Sequence, residues 1–297
     1  MAFWVSRDRS IRHLAVPRAA EVENALKTAP SLASPGFYLP QHTLDFNAGI
    51  DGQKATSLFD FWANETYFQT DNEYNGTVAA RTWALAQEPS PGYGNPSETT
   101  YEFGGYVTFS TAFGRSLVRG DDVYGRVRLY FPAETWVGAS PYMKTFRIAS
   151  STGHKNDFLI TTGTSGYNFD PGPGGWFFSK EGVLDGPDGG GYLLSGPITP
   201  VGSWHTWEFF VHFHESSGVV RLFKDGVLVR EVTGCGTLDG AGETADGFML
   251  FTYYNAVSGA GRPATDRHVD IEDISLSCSD HPPPIRNNGF RMIDPGV

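Results

Sequence analysis

Cysteine is scarce in this chain: only Cys235 and Cys278 occur among 297 residues. Neither lies in a metal-ligating spacing, so a cysteine-held metal centre is excluded. Both follow late strands, so a disulfide between them is open, and two free thiols are at least as well supported. Positive charge is also in deficit, with 22 Lys and Arg against 33 Asp and Glu, a net charge of −11. A duplex binder needs a basic footprint, so this balance argues against a nucleic-acid partner. There is no long acidic run, and the excess reads as solubility. No apolar stretch approaches ~18 residues, so no membrane span is expected. The N-terminus lacks the pattern of a signal peptide, because Arg7, Asp8, Arg9 and Arg12 interrupt any apolar core. Export by another route, removal of a leader, or assembly inside a cell would each fit. Asn64–Thr66 and Asn75–Thr77 match the glycosylation pattern, and without a signal peptide chance explains them.

Glycine and proline, by contrast, are plentiful, at 36 and 19 residues with no collagen-like period, and aromatics make up 14%. Many turns and long loops fit an all-β fold. Residues 204–229 carry the clearest pattern. Trp207, Phe209, Val211 and Phe213 alternate with Thr206, Glu208, Phe210, His212 and His214. Side chains alternate across a strand, so one face is core and the other is open to a ligand. A turn at 215–218 follows, and Asp225-Gly226 supplies the tight turn of a second hairpin.

Residues 1–36 read as an adaptor with one short helix over Pro17–Thr28. Strands are expected at Ala55–Phe61, Gly76–Ala86, Tyr101–Phe109, Asp122–Phe131, Tyr142–Ser150, Asp157–Thr162, Gly175–Ser179, His205–His214, Val219–Phe223, Val227–Val232, Gly247–Tyr254 and His268–Ser277. These predict one sandwich of two antiparallel sheets over residues 37–279, followed by a Pro-rich extended tail over 280–297.

Several segments occur in a telling order: YGRVRLYF at 124–131, YMKTFRI at 142–148, the 204–214 strand, VRLFKDGVLV at 220–229, FMLFTYYN at 248–255 and HVDIEDISLS at 268–277. Over residues 45–278 the chain resembles the concanavalin A-like lectin/glucanase superfamily, and within it the jelly rolls of polysaccharide lyases. The resemblance implies two curved sheets with a polysaccharide groove. It does not choose between hydrolases, lyases and non-catalytic binders.

The hydrolase branch needs paired carboxylates on one strand in a Glu-x-Asp-x-x-Glu type arrangement, which this sequence lacks. Asp270 and Glu272 share a face of the last strand and are candidate calcium ligands, the one cofactor considered; Asp273 points away in a regular strand. The lyase branch needs a base, a group that neutralises a uronate carboxylate and a proton donor for the leaving oxygen. By resemblance the candidates are Arg81, Lys144, His212, His214 and Tyr254. Lys144 and Arg147 fall on opposite faces of a regular strand, so at most one of them reaches the groove. A Gln-x-His pair in the middle strand is missing, as is the acidic residue often found two positions after the early Arg, where Trp83 stands.

A binding surface needs less: aromatic platforms and polar groups for ring hydroxyls. Arg81, Trp83, Lys144, Trp176, His212, His214, Tyr253, Tyr254 and Asn255 are the expected ligand contacts. Tyr93, Tyr167, Trp176 and Tyr192 lie in Gly-rich surroundings, and the Gly-rich loop 168–191 could border a groove. The expectation from sequence is thus a non-catalytic carbohydrate-binding jelly roll, displayed on a virion or an extracellular surface. Its partners would be a polysaccharide or host glycan, and other particle proteins contacted through residues 1–36 and 280–297. A polysaccharide lyase is the alternative, and a purely structural virion component the second.

Overall fold

A computed structural model describes residues 41–55, 61–62, 66–84, 104–136, 142–153, 155–161, 175–180, 192–193, 199–255 and 265–279. The adaptor and tail expected at 1–36 and 280–297 lie outside them.

Among the described residues there are fifteen strands. In chain order they are β1 (His42–Leu44), β2 (Phe61–Trp62), β3 (Thr66–Tyr74), β4 (Thr77–Ala84), β5 (Gly105–Thr108), β6 (Asp122–Tyr130), β7 (Tyr142–Ser150) and β8 (Lys155–Thr161). Then follow β9 (Trp176–Lys180), β10 (Tyr192–Leu193), β11 (Trp204–His212), β12 (Gly218–Lys224), β13 (Val227–Cys235), β14 (Ala245–Asn255) and β15 (Arg267–Ser279). A short helix, α1 (Phe109–Phe113), follows β5. Among the described residues, no helix is long and apolar enough to cross a membrane.

The strands form two antiparallel sheets. Sheet A has eight strands, ordered β13-β12-β11-β6-β15-β4-β3, with β1 paired to β15. Sheet B has seven, ordered β10-β9-β8-β7-β14-β5-β2. Their inner faces meet in one aromatic core. Phe209 of sheet A stacks on Phe248 of sheet B at 5.2 Å between ring centroids, and Trp207 meets Trp176 at 4.7 Å. Gly125 leaves room for this packing, because a Cβ there would lie 2.2 Å from the Phe209 ring. Truncating a core ring such as Phe209 to Ala would cost about 4 kcal/mol.

The expected alternation on β11 is present, with Trp207, Phe209, Val211 and Phe213 all buried in the core. Asp225 and Gly226 turn the β12–β13 hairpin at φ of 51° and 77°. Three strands escaped the sequence reading. β3 was hidden by its polar second half, β1 is short, and β10 sits in a Gly-rich stretch. Asn75-Gly76, read as part of a glycosylation pattern, is the β3–β4 turn, with φ of 52° and 79°. The strand expected at Ala55–Phe61 is instead a 3-10 position at Ala55 and a strand at Phe61–Trp62, with residues 56–60 outside the described set.

Candidate active site

The outer face of sheet B gathers buried charge. Its central row runs Tyr106 (β5), Met249 (β14), Arg147 (β7), Asp157 (β8) and Ser179 (β9), each opposite the next. Arg147 Nε donates to Asp157 Oδ1 at 2.6 Å, and its Nη2 donates to Oδ2 at 3.3 Å. Lys144 Nζ lies 3.1 Å from the same Oδ2. The three side chains are only 6%, 8% and 2% exposed for Arg147, Lys144 and Asp157.

Regular alternation would put Lys144 and Arg147 on opposite faces, and the structure corrects that expectation. The pairing of β7 with β8 shifts between Lys144 and Phe146, leaving Thr145 as an extra residue. A bulge of this kind restarts the alternation. Met143, Phe146 and Ile148 then face the core, while Lys144 and Arg147 share the outer face. β14 is irregular at the same level, with a shift between Leu250 and Tyr253 and a φ of 49° at Phe251. The signal was present in sequence as apolar residues spaced three and then two apart. Asp157 itself was missed, because nothing local marks it as a partner for β7.

Burying three charges costs several kcal/mol per ion, and well-packed apolar groups would often be as stable. Stability alone therefore does not account for the triplet. Two cations fixed to one carboxylate can receive an anionic group of a ligand. Tyr253 stands at the register position opposite Lys144, Tyr254 opposite Met143 and Asn255 opposite Tyr142.

Other expected site residues lie on sheet A, across the core from this cluster. Arg81 Nε and Nη2 donate to Asp270 at 2.7 and 3.0 Å, and Nη1 donates to Asp71 at 2.9 Å. Burial opposes the Arg81 charge, but the Asp270 and Asp71 contacts outweigh it and raise its pKa above the ordinary value. Trp83 packs against His268 at 4.6 Å between ring centroids. His212 Nδ1 meets Asp122 at 2.6 Å. His214 Nδ1 lies 3.1 Å from the backbone N–H groups of Ser216 and Ser217, so it serves the β11–β12 turn.

Asp270 also accepts from Asn72 Nδ2 at 2.6 Å, and Arg128 Nη1 donates to Glu272 at 3.0 Å. Asp273 does not point away. A β15 bulge with φ of 44° brings it to the same Arg128 nitrogen at 2.9 Å. Among the described residues, no group of three or more His, Cys, Asp or Glu could hold a metal ion.

Trp176 is no groove platform. It is 1% exposed in the core, and its Nε1 donates to Thr199 Oγ1 at 2.9 Å. Tyr93 and Tyr167, and most of the 168–191 loop, lie outside the described residues. Among the described side chains, Arg81, Trp83, His212 and His214 thus lie with sheet A and Lys144 lies in the sheet B cluster, with residues 253–255 paired to β7 beside it.

No family model matches the chain. No curated protein matches it either. Solved structures do. An endo-β-1,4-glucuronan lyase from the fungus Trichoderma reesei aligns at 14% identity and a TM-score of 0.51, covering 80% of this chain and 95% of that one. Alginate lyase Aly36B aligns at 12% identity and a TM-score of 0.53, covering 80% and 97%. A doubly substituted Aly36B in complex with alginate trisaccharide gives 12%, 0.53, and 79% and 96% coverage. These findings correct the expectation of a non-catalytic, particle-borne glycan binder. The folds matched over most of both chains are those of lyases, and no finding supports a virion role or particle-protein partners. The chain has the concanavalin A-like jelly-roll fold, the fold of these polysaccharide lyases.

Proposed function

We propose that the chain is a polysaccharide lyase that cleaves a uronate polymer by β-elimination on the outer face of sheet B. The observation that carries this reading is the bulge at Thr145, which sets Lys144 and Arg147 side by side on Asp157.

β-Elimination removes the proton α to the uronate carboxylate. The electron pair left behind forms a double bond to the β carbon as the glycosidic C–O bond breaks. The leaving oxygen then takes a proton. The hard step places negative charge on the carboxylate, so fixed cations beside it lower the barrier. Lys144 and Arg147 supply those cations. They are held on strands rather than loops, with their geometry set before substrate arrives. Tyr253, opposite Lys144 in register, is the candidate for both proton transfers, taking the α proton as a phenolate and returning it to the leaving oxygen. Arg81, His212 and His214 take no part, because the core separates them from this face.

The test is ultraviolet absorbance of the unsaturated uronate during incubation with a panel of uronate polymers. The wild-type chain should give a rising trace on at least one polymer, and Lys144→Ala should abolish it. A flat trace for the wild type on every polymer would overturn the reading.

A further inference from the structure

Asp157 is anchored on both sides by buried neighbours. Phe158 packs between Phe178 and Phe209, each at 5.5 Å between ring centroids. Asn156 is fully buried and donates from Nδ2 to the Thr237 carbonyl at 2.9 Å. The backbone of β8 is thus held at the residue before and the residue after Asp157. Its carboxylate has little freedom to follow a moving partner. Lys144, by contrast, carries a flexible four-carbon stem just before a bulge, and its ammonium has no intrinsic preferred direction.

We propose that Asp157 is the positioning residue of this site: it sets where the Lys144 ammonium and the Arg147 guanidinium stand, without itself touching substrate. The substrate part of this inference rests on the lyase reading above. Asp157 Oδ1 takes Arg147 Nε, and Oδ2 is shared between Arg147 Nη2 and Lys144 Nζ. One carboxylate therefore bridges both cations. It keeps Lys144 from swinging away along the face and holds the guanidinium plane by a two-point contact. No proton or bond changes at Asp157 during the reaction.

The test uses the full chain with Asp157→Asn and Asp157→Glu. The first measurement does not depend on any enzyme activity: acetylation of lysines by acetic anhydride, mapped by mass spectrometry. Asp157→Asn removes the charge that Lys144 Nζ contacts, so it should raise Lys144 labelling by roughly tenfold or more. Lys180 is the internal control. It is buried on β9, 3.0 Å from Glu243, and should not change. Asp157→Glu should restore part of the protection. The second measurement uses a uronate polymer that the wild type cleaves. A misplaced site loses rate before it loses binding, so kcat should fall about 100-fold in Asp157→Asn while KM moves little.

Unchanged Lys144 labelling in Asp157→Asn would overturn the proposal. So would an equal rise at Lys180, which would mean general loosening of the sheet, or an unchanged kcat. If the wild type cleaves no uronate polymer, the lyase reading fails, and the labelling alone decides the positioning role.

Discussion

Lys144 and Arg147 stand three residues apart on one strand, yet both bind the carboxylate of Asp157, at 3.1 and 2.6 Å. The bulged Thr145 makes this geometry, since two residues on β7 must oppose one on β8. Deleting Thr145 leaves Lys144 and Arg147 two residues apart, so a regular strand keeps both on this face. The deletion variant, if folded by circular dichroism, should therefore keep elimination activity. Loss of activity in the folded variant would mean that the reaction uses the bulge itself and not merely the shared face.

A second prediction concerns Glu208 on the outer face of sheet A. Burial pushes its carboxyl above the ordinary value of 4.5, and the Tyr124 hydroxyl bond and nearby Arg126 oppose this without reversing it. The folded state therefore keeps the proton to higher pH than the unfolded chain does. Stability falls as pH rises from the unfolded value through the raised folded value. Glu208→Gln cannot ionise, so its stability relative to wild type should grow across that window. The slope is at most about 1.4 kcal/mol per pH unit for one proton. Denaturant midpoints of both proteins between mildly acidic and neutral pH test this. A difference that does not change with pH would refute it.

Third, the Arg81–Asp270 pair is a fastening of sheet A rather than part of the reaction. It joins β4 to β15, and Asp270 is fully buried. Asp270→Asn should destabilise the chain by about 3 kcal/mol, because a largely buried guanidinium loses its main counter-charge. Elimination rate per folded molecule should be unchanged. A large loss of kcat at full folding would place this cluster in the chemistry after all.

Fourth, the two cysteines are not joined in a disulfide, and both are buried. Burial pushes the Cys235 thiol up to about 11. The thiolate is the reactive form, so the native chain should not react with a thiol reagent at neutral pH. Both thiols should react once the chain is unfolded in denaturant. Rapid titration of one thiol in the native chain would contradict the packing around it.

Much of the fold was legible in local pattern. The alternation of Trp207, Phe209, Val211 and Phe213 identified the core face of β11, and Asp225-Gly226 identified a hairpin, because each signal lies within a few adjacent residues. β3 was not legible, since its second half is polar on both faces and only its pairing with β4 makes it a strand. Trp176 looked like a loop platform because glycines precede it. Its burial against Trp207 depends on a strand of the other sheet.

The candidate site divides in the same way. Residue types in the sequence by themselves determined an all-β sandwich, and resemblance placed Lys144 beside Arg81, His212, His214 and Tyr254 as candidates without choosing among them. Only the tertiary structure decided that Arg81, His212 and His214 lie across the core from Lys144, and that Arg147 and Asp157 lie beside it. The physical reason is the range of the forces involved. Period-two alternation sets the face of a strand, but long-range pairing sets its sheet and neighbours, and a single bulge reverses the face of every residue beyond it.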